Sequence, residues 1–184
     1  MKITKLQDID QQILGFLKEP KSANRGFQLL MDQYQEKLYW LIRRMVLNHE
    51  DANDVLQNTF IKVFKNIQKF KNDSKLYTWL YRIATNETFT YLQKQKKLGY
   101  SELSEGQFSQ AADEYFEPSE IQKKLIAAIA KLPEKQKAVF NLRYFDELSY
   151  KDISEILNTS EGALKASYHH AVKKIESFIH EKEQ

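Results

Sequence analysis

The chain has 184 residues, enough for one medium domain or two small ones, and its 42% hydrophobic and 29% charged residues are those of a soluble globular protein. It has no cysteine, which excludes disulfides, thiol nucleophiles and thiolate metal sites and fits a cytoplasmic protein. The net charge of +3 conceals three blocks: residues 1–97 carry 17 Lys and Arg against 10 Asp and Glu, residues 98–122 none against 6, and residues 123–184 11 against 9.

No apolar stretch of signal-peptide length opens the chain, and no run of about 18 apolar residues occurs, so no membrane insertion is expected. A first helix is predicted over residues 8–18, stopping before Pro20. Over residues 22–46, Phe27, Leu30, Tyr34, Leu38, Leu41 and Met45 recur at steps of three and four, which is one face of a helix. Residues 49–67 repeat the pattern with Ala52, Val55, Leu56, Phe60, Val63, Phe64 and Ile67. Residues 74–97 repeat it with Leu76, Leu80, Ile83, Glu87 and Tyr91, behind Ser74 as a cap. Four helices with one apolar stripe each predict a bundle. The periodicity then lapses. Residues 98–118 are polar and acidic and read as a flexible linker, with Tyr100, Phe108, Tyr115 and Phe116 able to dock on a surface.

Helices resume near Ser119, where Gln122 completes a capping box. Pro133, at a first helical position, opens a helix to about Phe145. Ser149 heads a helix that ends near Leu157. Asn158, Thr159 and Ser160 form a turn, and Ser160 caps a last helix carrying Leu164, Tyr168, Ala171, Val172, Ile175 and Ile179 inward. The fold class is therefore all-α, as two small helical domains, residues 1–97 and 119–184, joined by the linker.

A short helix, a tight turn and a longer helix make a helix-turn-helix, in which the second helix can enter the major groove of duplex DNA. Its outer face here is Gly162, Ala166, His169, His170 and Lys173, with Lys165 on the flank and Ser160 and Glu161 at its N-terminus. A plain helical hairpin has the same spacing, and the face holds no Arg, the usual reader of guanine. His169 and His170 point about 100° apart on a helix and do not converge on a metal. In the N-terminal half, Trp79, Arg82 and Asn86 form one stripe, with Tyr77 and Tyr81 on another face and Thr78 on the outer side. A ring, a cation and an amide suit an unstacked nucleotide, and Lys94, Lys96 and Lys97 can neutralise phosphates beyond it. Trp79 as plain core is the competing reading. Asp51, Asp54, Gln57, Asn58 and Lys62 form a polar face on the preceding helix, either solvated or a protein-docking surface.

The run DANDVLQNTFIKVFKNIQKF and the string from Asp73 to Asn86, DSKLYTWLYRIATN, resemble region 2 of extracytoplasmic-function sigma factors. The stretch from Leu132 to Ile175 resembles region 4 of the same family. The resemblance covers roughly residues 22–178. It implies that Asp51, Asp54, Gln57 and Asn58 dock on the clamp helices of the largest subunit of core RNA polymerase, although relatives often carry an acidic residue at the position of Asn58. It implies that Phe70, Lys71, Asn72, Asp73, Ser74 and Lys75, with Trp79, Arg82, Asn86 and the lysine tail, capture the single-stranded −10 promoter element, one base being flipped into a pocket. The helix from Ser160 would read the duplex −35 element, where relatives often have basic or hydroxyl residues in place of Ala166, His169 and His170. The acidic linker would thread through the polymerase, region 4 would meet the polymerase flap, and an anti-sigma factor is a further partner of such proteins. No cofactor or metal is implied. The alternative is a helix-turn-helix regulator that binds DNA without polymerase. Enzyme chemistry finds no support: His49, His169, His170 and His180 have no metal-binding spacing, and neither a phosphate-binding glycine loop nor a glycine-flanked serine occurs.

Overall fold

The structure, a computed structural model, describes residues 2–71, 73–99 and 119–181. Within them lie eight α-helices, a 3-10 turn over Ile67–Lys69 and no strand, so the fold is all-α. The helices are α1 (Lys2–Lys18), α2 (Ala23–Val46), α3 (His49–Asn66), α4 (Leu76–Lys97), α5 (Glu120–Ala130), α6 (Glu134–Tyr144), α7 (Tyr150–Leu157) and α8 (Glu161–Glu181). Most of the linker and Asn72, Tyr100, Phe108, Tyr115 and Phe116 lie outside the described residues.

Helices α1 to α4 bundle around Leu30, Leu38 and Ile42 of α2, Val55 and Val63 of α3, and Leu80 and Ala84 of α4. Helix α1 starts six residues earlier than the periodicity predicts. It is pinned on α2 by Ile13 and Leu17 and by a buried 2.5 Å hydrogen bond from the Tyr34 hydroxyl to Asp10. Burial pushes the Asp10 carboxyl above its ordinary value, although that hydrogen bond and Lys37 pull the other way. Helices α2 and α3 are joined by only two residues. Leu47 takes a left-handed conformation (φ 66°) and Asn48 caps α3, its side chain accepting from the Glu50 N–H at 2.8 Å.

In the C-terminal half, Ser119 and Gln122 form the expected capping box. Helices α5, α6 and α8 share a small core of Ala128, Ile129, Leu132, Phe140, Ala171 and Ile175. Other apolar residues of this half, Val139, Leu142, Ile153, Ile156 and Leu164, complete the core of the first four helices instead. Helix α7 lies on α4 and α6 on α2. Thr78, expected on the outer side of α4, is fully buried for that reason, as is most of Tyr81. Two helix starts also differ from expectation. Ser74 makes no capping bond to α4; Lys75, extended at φ −66° and ψ 147°, holds the cap position. Pro133 is likewise extended (φ −53°, ψ 142°), so it precedes α6 as its cap residue rather than beginning it. Among the described residues, no helix is long and apolar enough to cross a membrane.

Candidate nucleic-acid interface

Helices α3 and α4 run side by side, and a surface groove of about 320 Å³ opens between them, lined by Lys62, Asn66, Lys69, Trp79, Ile83, Asn86 and Glu87. Trp79 is half-buried, not core. Its ring lies 5.3 Å from that of Phe70, which follows the 3-10 turn and packs beside Trp79 without lining the groove itself. Asn86 stands exposed two turns along. The groove thus brings together Trp79 and Asn86 of the expected stripe. Arg82 does not line it, and the Arg82 Nε is buried without a hydrogen-bond partner.

Five groove residues, Lys62, Asn66, Lys69, Ile83 and Glu87, are not assigned to this site by the sequence. Lys62 was grouped with the docking face and Glu87 with the apolar face of α4, whereas the two form an ion pair across the groove. Asn66 donates to the Lys62 carbonyl at 2.8 Å, which fixes its amide at the groove edge. Lys69 adds a second cation. No spacing on α4 alone could reveal Lys62, Asn66 and Lys69, because they come from the facing helix and from the turn after it.

Lys71 and Asp73 are exposed and Ser74 is half-buried at the loop leading into α4. Lys75 is already engaged: its ammonium lies 3.2 Å from the Tyr77 hydroxyl and 3.1 Å from Asp152 at the start of α7. Those hydrogen bonds push the lysine pKa above its ordinary value. Burial alone would raise the Asp152 pKa, but hydrogen bonds from Ser149, Lys75 and Tyr77 outweigh it and hold the carboxyl below the usual range. At the far end of α4, Lys94 and Lys97 are exposed and Lys96 pairs with Glu134 at 2.8 Å.

On α3, Asp54, Gln57 and Asn58 are exposed, while Asp51 is half-buried and hydrogen-bonded to Tyr91 of α4. The same stripe carries two exposed apolar residues, Ile61 at 44% and Phe64 at 61% exposure. The Phe64 ring rests edge-on against Phe27, 5.2 Å away. Phe64 fits the apolar periodicity of α3, yet α2 covers only one side of it. A mixed polar and apolar stripe of this kind is suited to a protein partner.

The helix-turn-helix has the expected form. Asn158 closes α7 in a left-handed conformation (φ 49°), the conformation that makes the turn tight and that Asn tolerates. The Ala163 N–H reaches the Ser160 hydroxyl at 3.4 Å as the cap of α8. Leu164, Ala171 and Ile175 are buried, and Ser160, Glu161, Gly162, Lys165, Ala166, His169, His170 and Lys173 are all exposed on the outer face. The His169 and His170 rings are 6.1 Å apart and tilted, not convergent.

Known proteins bear on this arrangement at three levels. The Sigma-70 region 2 family matches residues 30–98, and the Sigma-70 region 4 family matches residues 122–175. The ECF RNA polymerase sigma factor SigW of Bacillus subtilis is 36% identical over 174 residues, spanning 88% of this chain and 93% of the relative. The ECF RNA polymerase sigma-E factor of Haemophilus influenzae is 33% identical, spanning 84% and 88%. Among solved structures, CnrH in complex with the cytosolic domain of CnrY superposes with a TM-score of 0.68 at 17% identity, over 94% of this chain and 96% of that one. The sigma factor RpoE in complex with the anti-sigma factor NepR from Bartonella quintana gives 0.67 at 19%, over 83% and 96%. Both structures share the helical fold. Matches to both regions along one chain disfavour a polymerase-independent regulator. The chain belongs to the extracytoplasmic-function class of RNA polymerase sigma factors, which bind core polymerase and direct initiation at specific promoters.

Proposed function

We propose that residues 1–97 and 119–184 are the two promoter-reading domains of this sigma factor and that residues 98–118 link them. In the first, Trp79, Asn86, Phe70 and the loop through Lys75 capture the melted −10 strand. Lys94, Lys96 and Lys97 neutralise its phosphates, and Arg82 contributes from the flank. The observation that carries this reading is the groove between α3 and α4, where the Trp79 ring, an exposed amide and two lysines converge on a space of about 320 Å³. A flat base stacks on the Trp79 ring, the amide meets its edge, and the cations hold the backbone. The outer face of α8 lies in the major groove of the −35 element, with Lys165 and Lys173 at phosphates. Asp54, Gln57 and Asn58, with Asp51 at the rim, dock on core polymerase.

Each DNA contact is modest alone. Holding both domains on one polymerase makes the second contact effectively intramolecular, so the affinities combine. The protein performs no bond-making chemistry; it works in the cytoplasm and lends core polymerase its promoter choice. The solved RpoE structure holds the anti-sigma factor NepR and the CnrH structure holds a domain of CnrY, and an anti-sigma partner fits this chain. Run-off transcription from a pool of randomised promoters, with and without the protein, tests the reading. The expected result is promoter-specific transcripts that require both this protein and core polymerase. Transcripts indifferent to the protein would overturn it.

A further inference from the structure

The groove holds one group that neither stacking nor phosphate binding requires. Glu87 faces into it, with its side chain only 12% exposed, and Lys62 from α3 holds one carboxylate oxygen from the opposite wall. A carboxylate offers more acceptor sites than one ammonium fills, so Glu87 retains acceptor capacity toward the groove. We infer that Glu87 sets the base preference of this groove, selecting a melted −10 base that carries an exocyclic amino group and rejecting thymine. The inference rests on the reading of the groove as the capture site for that base.

The chemistry separates Glu87 from its neighbours. Trp79 and Ile83 offer apolar surface to any base. Lys62 and Lys69 attract phosphate whatever the sequence. Asn86 carries both a donor and an acceptor and can turn its amide to suit either kind of base edge. Glu87 is the one groove residue able only to accept. It matches the amino group of cytosine, adenine or guanine, as acidic side chains do when they read cytosine N4. Thymine's only donor is the ring N3–H, set between two carbonyl oxygens, so a carboxylate placed to meet an amino group meets a carbonyl oxygen instead, acceptor against acceptor.

The test uses the full chain with core polymerase. A promoter pool randomised across the −10 element is transcribed by wild type, Glu87→Gln and Lys62→Gln. The wild type is expected to disfavour thymine at one −10 position. Glu87→Gln, which can present a donor or an acceptor, narrows that preference about tenfold, the scale of one charge-assisted hydrogen bond. Lys62→Gln keeps the preference, because the carboxylate remains. A pre-melted template with 5-methylcytosine at the selected position then transcribes like cytosine, although it carries the methyl group of thymine. A Glu87→Gln variant with unchanged preference at every position overturns the inference, as does 5-methylcytosine behaving like thymine. An equal loss of preference in Lys62→Gln assigns the effect to the ion pair and also overturns it. If the wild type directs no promoter-specific transcript at all, the failure belongs to the reading of the protein as a polymerase-dependent initiator.

Discussion

Single residues carried very different amounts of legible information. The spacing of Trp79 and Asn86 put both on one stripe of α4, and both line the groove. Glu87 was misread because three-and-four periodicity places a residue on a face without saying whether that face meets core or a gap between helices. Its partner Lys62 sits on another helix, 25 residues away in sequence. Trp79 carries the clearest consequence. Replacing it with Ala removes the aromatic ring that faces the groove and that Phe70 packs beside. Stacking on an aromatic is worth about 1–3 kcal/mol per base, so promoter opening by Trp79→Ala should fall roughly five- to hundredfold. Run-off transcription on duplex and pre-melted templates is the measurement. A deficit on both would locate the loss in strand capture, whereas a deficit on duplex alone would argue against stacking on Trp79.

At the scale of elements, every helix from α2 to α8 was legible, because each carries an apolar stripe and most carry a recognisable boundary. The misjudged starts at Ser74 and Pro133 have a common cause. A cap signature names residues that suit a boundary, while the actual boundary falls where the chain must leave extended geometry to reach the core, here at Leu76 and Glu134. Helix α1 gives the sharper test. Gly26 of α2 lies against it so closely that an added Cβ would sit 2.8 Å from the Leu17 Cγ and 2.9 Å from the Leu17 backbone nitrogen. Helix propensity favours Ala over Gly by about 0.8–1.0 kcal/mol, but overpacking against backbone costs about 1–3 kcal/mol. Gly26→Ala should therefore lower the melting temperature. Gly15→Ala, in α1 with nothing within 4 Å, should raise it by roughly 2–4 °C for each kcal/mol gained. Thermal melts of the two variants should move in opposite directions; a Gly26→Ala protein more stable than wild type would show that α1 yields freely.

At the scale of the whole molecule, the two charge blocks and the acidic interval were plain in the sequence, but the packing of the halves was not. An apolar stripe announces that a helix is covered without naming what covers it, so Val139, Leu142 and Ile153 could not be assigned to the core of α1 to α4. The polar contacts across that junction were equally hidden: Arg44 with Asp146 at 3.0 Å, Lys75 with Asp152 at 3.1 Å, Lys96 with Glu134 at 2.8 Å, and the Arg44 guanidinium 4.7 Å from the Phe145 ring centre. Two buried groups at the junction make its stability depend on pH. Burial pushes the Asp146 carboxyl up to about 6, although Arg44 pulls it down. Its folded value exceeds its ordinary one of 3.8, so its contribution is complete below 3.8 and is lost as the pH rises through about 6. Burial lowers Lys137 to about 8, with Glu134 opposing and Lys96 reinforcing the shift. That contribution is complete above the ordinary value of 10.5 and is lost as the pH falls through about 8. Asp152 titrates below this window and the buried tyrosines above it, while the raised carboxyl of Asp10 adds to the acid limb. The folded protein should thus be least stable between about pH 6 and 8, gaining on the order of 1 kcal/mol at pH 5 and again at pH 9. Urea unfolding at pH 5, 7 and 9 checks this. Asp146→Asn should flatten much of the acid limb and Lys137→Met the alkaline one, and a wild-type curve with its maximum at pH 7 would mean that neither group pays a desolvation cost in the folded protein.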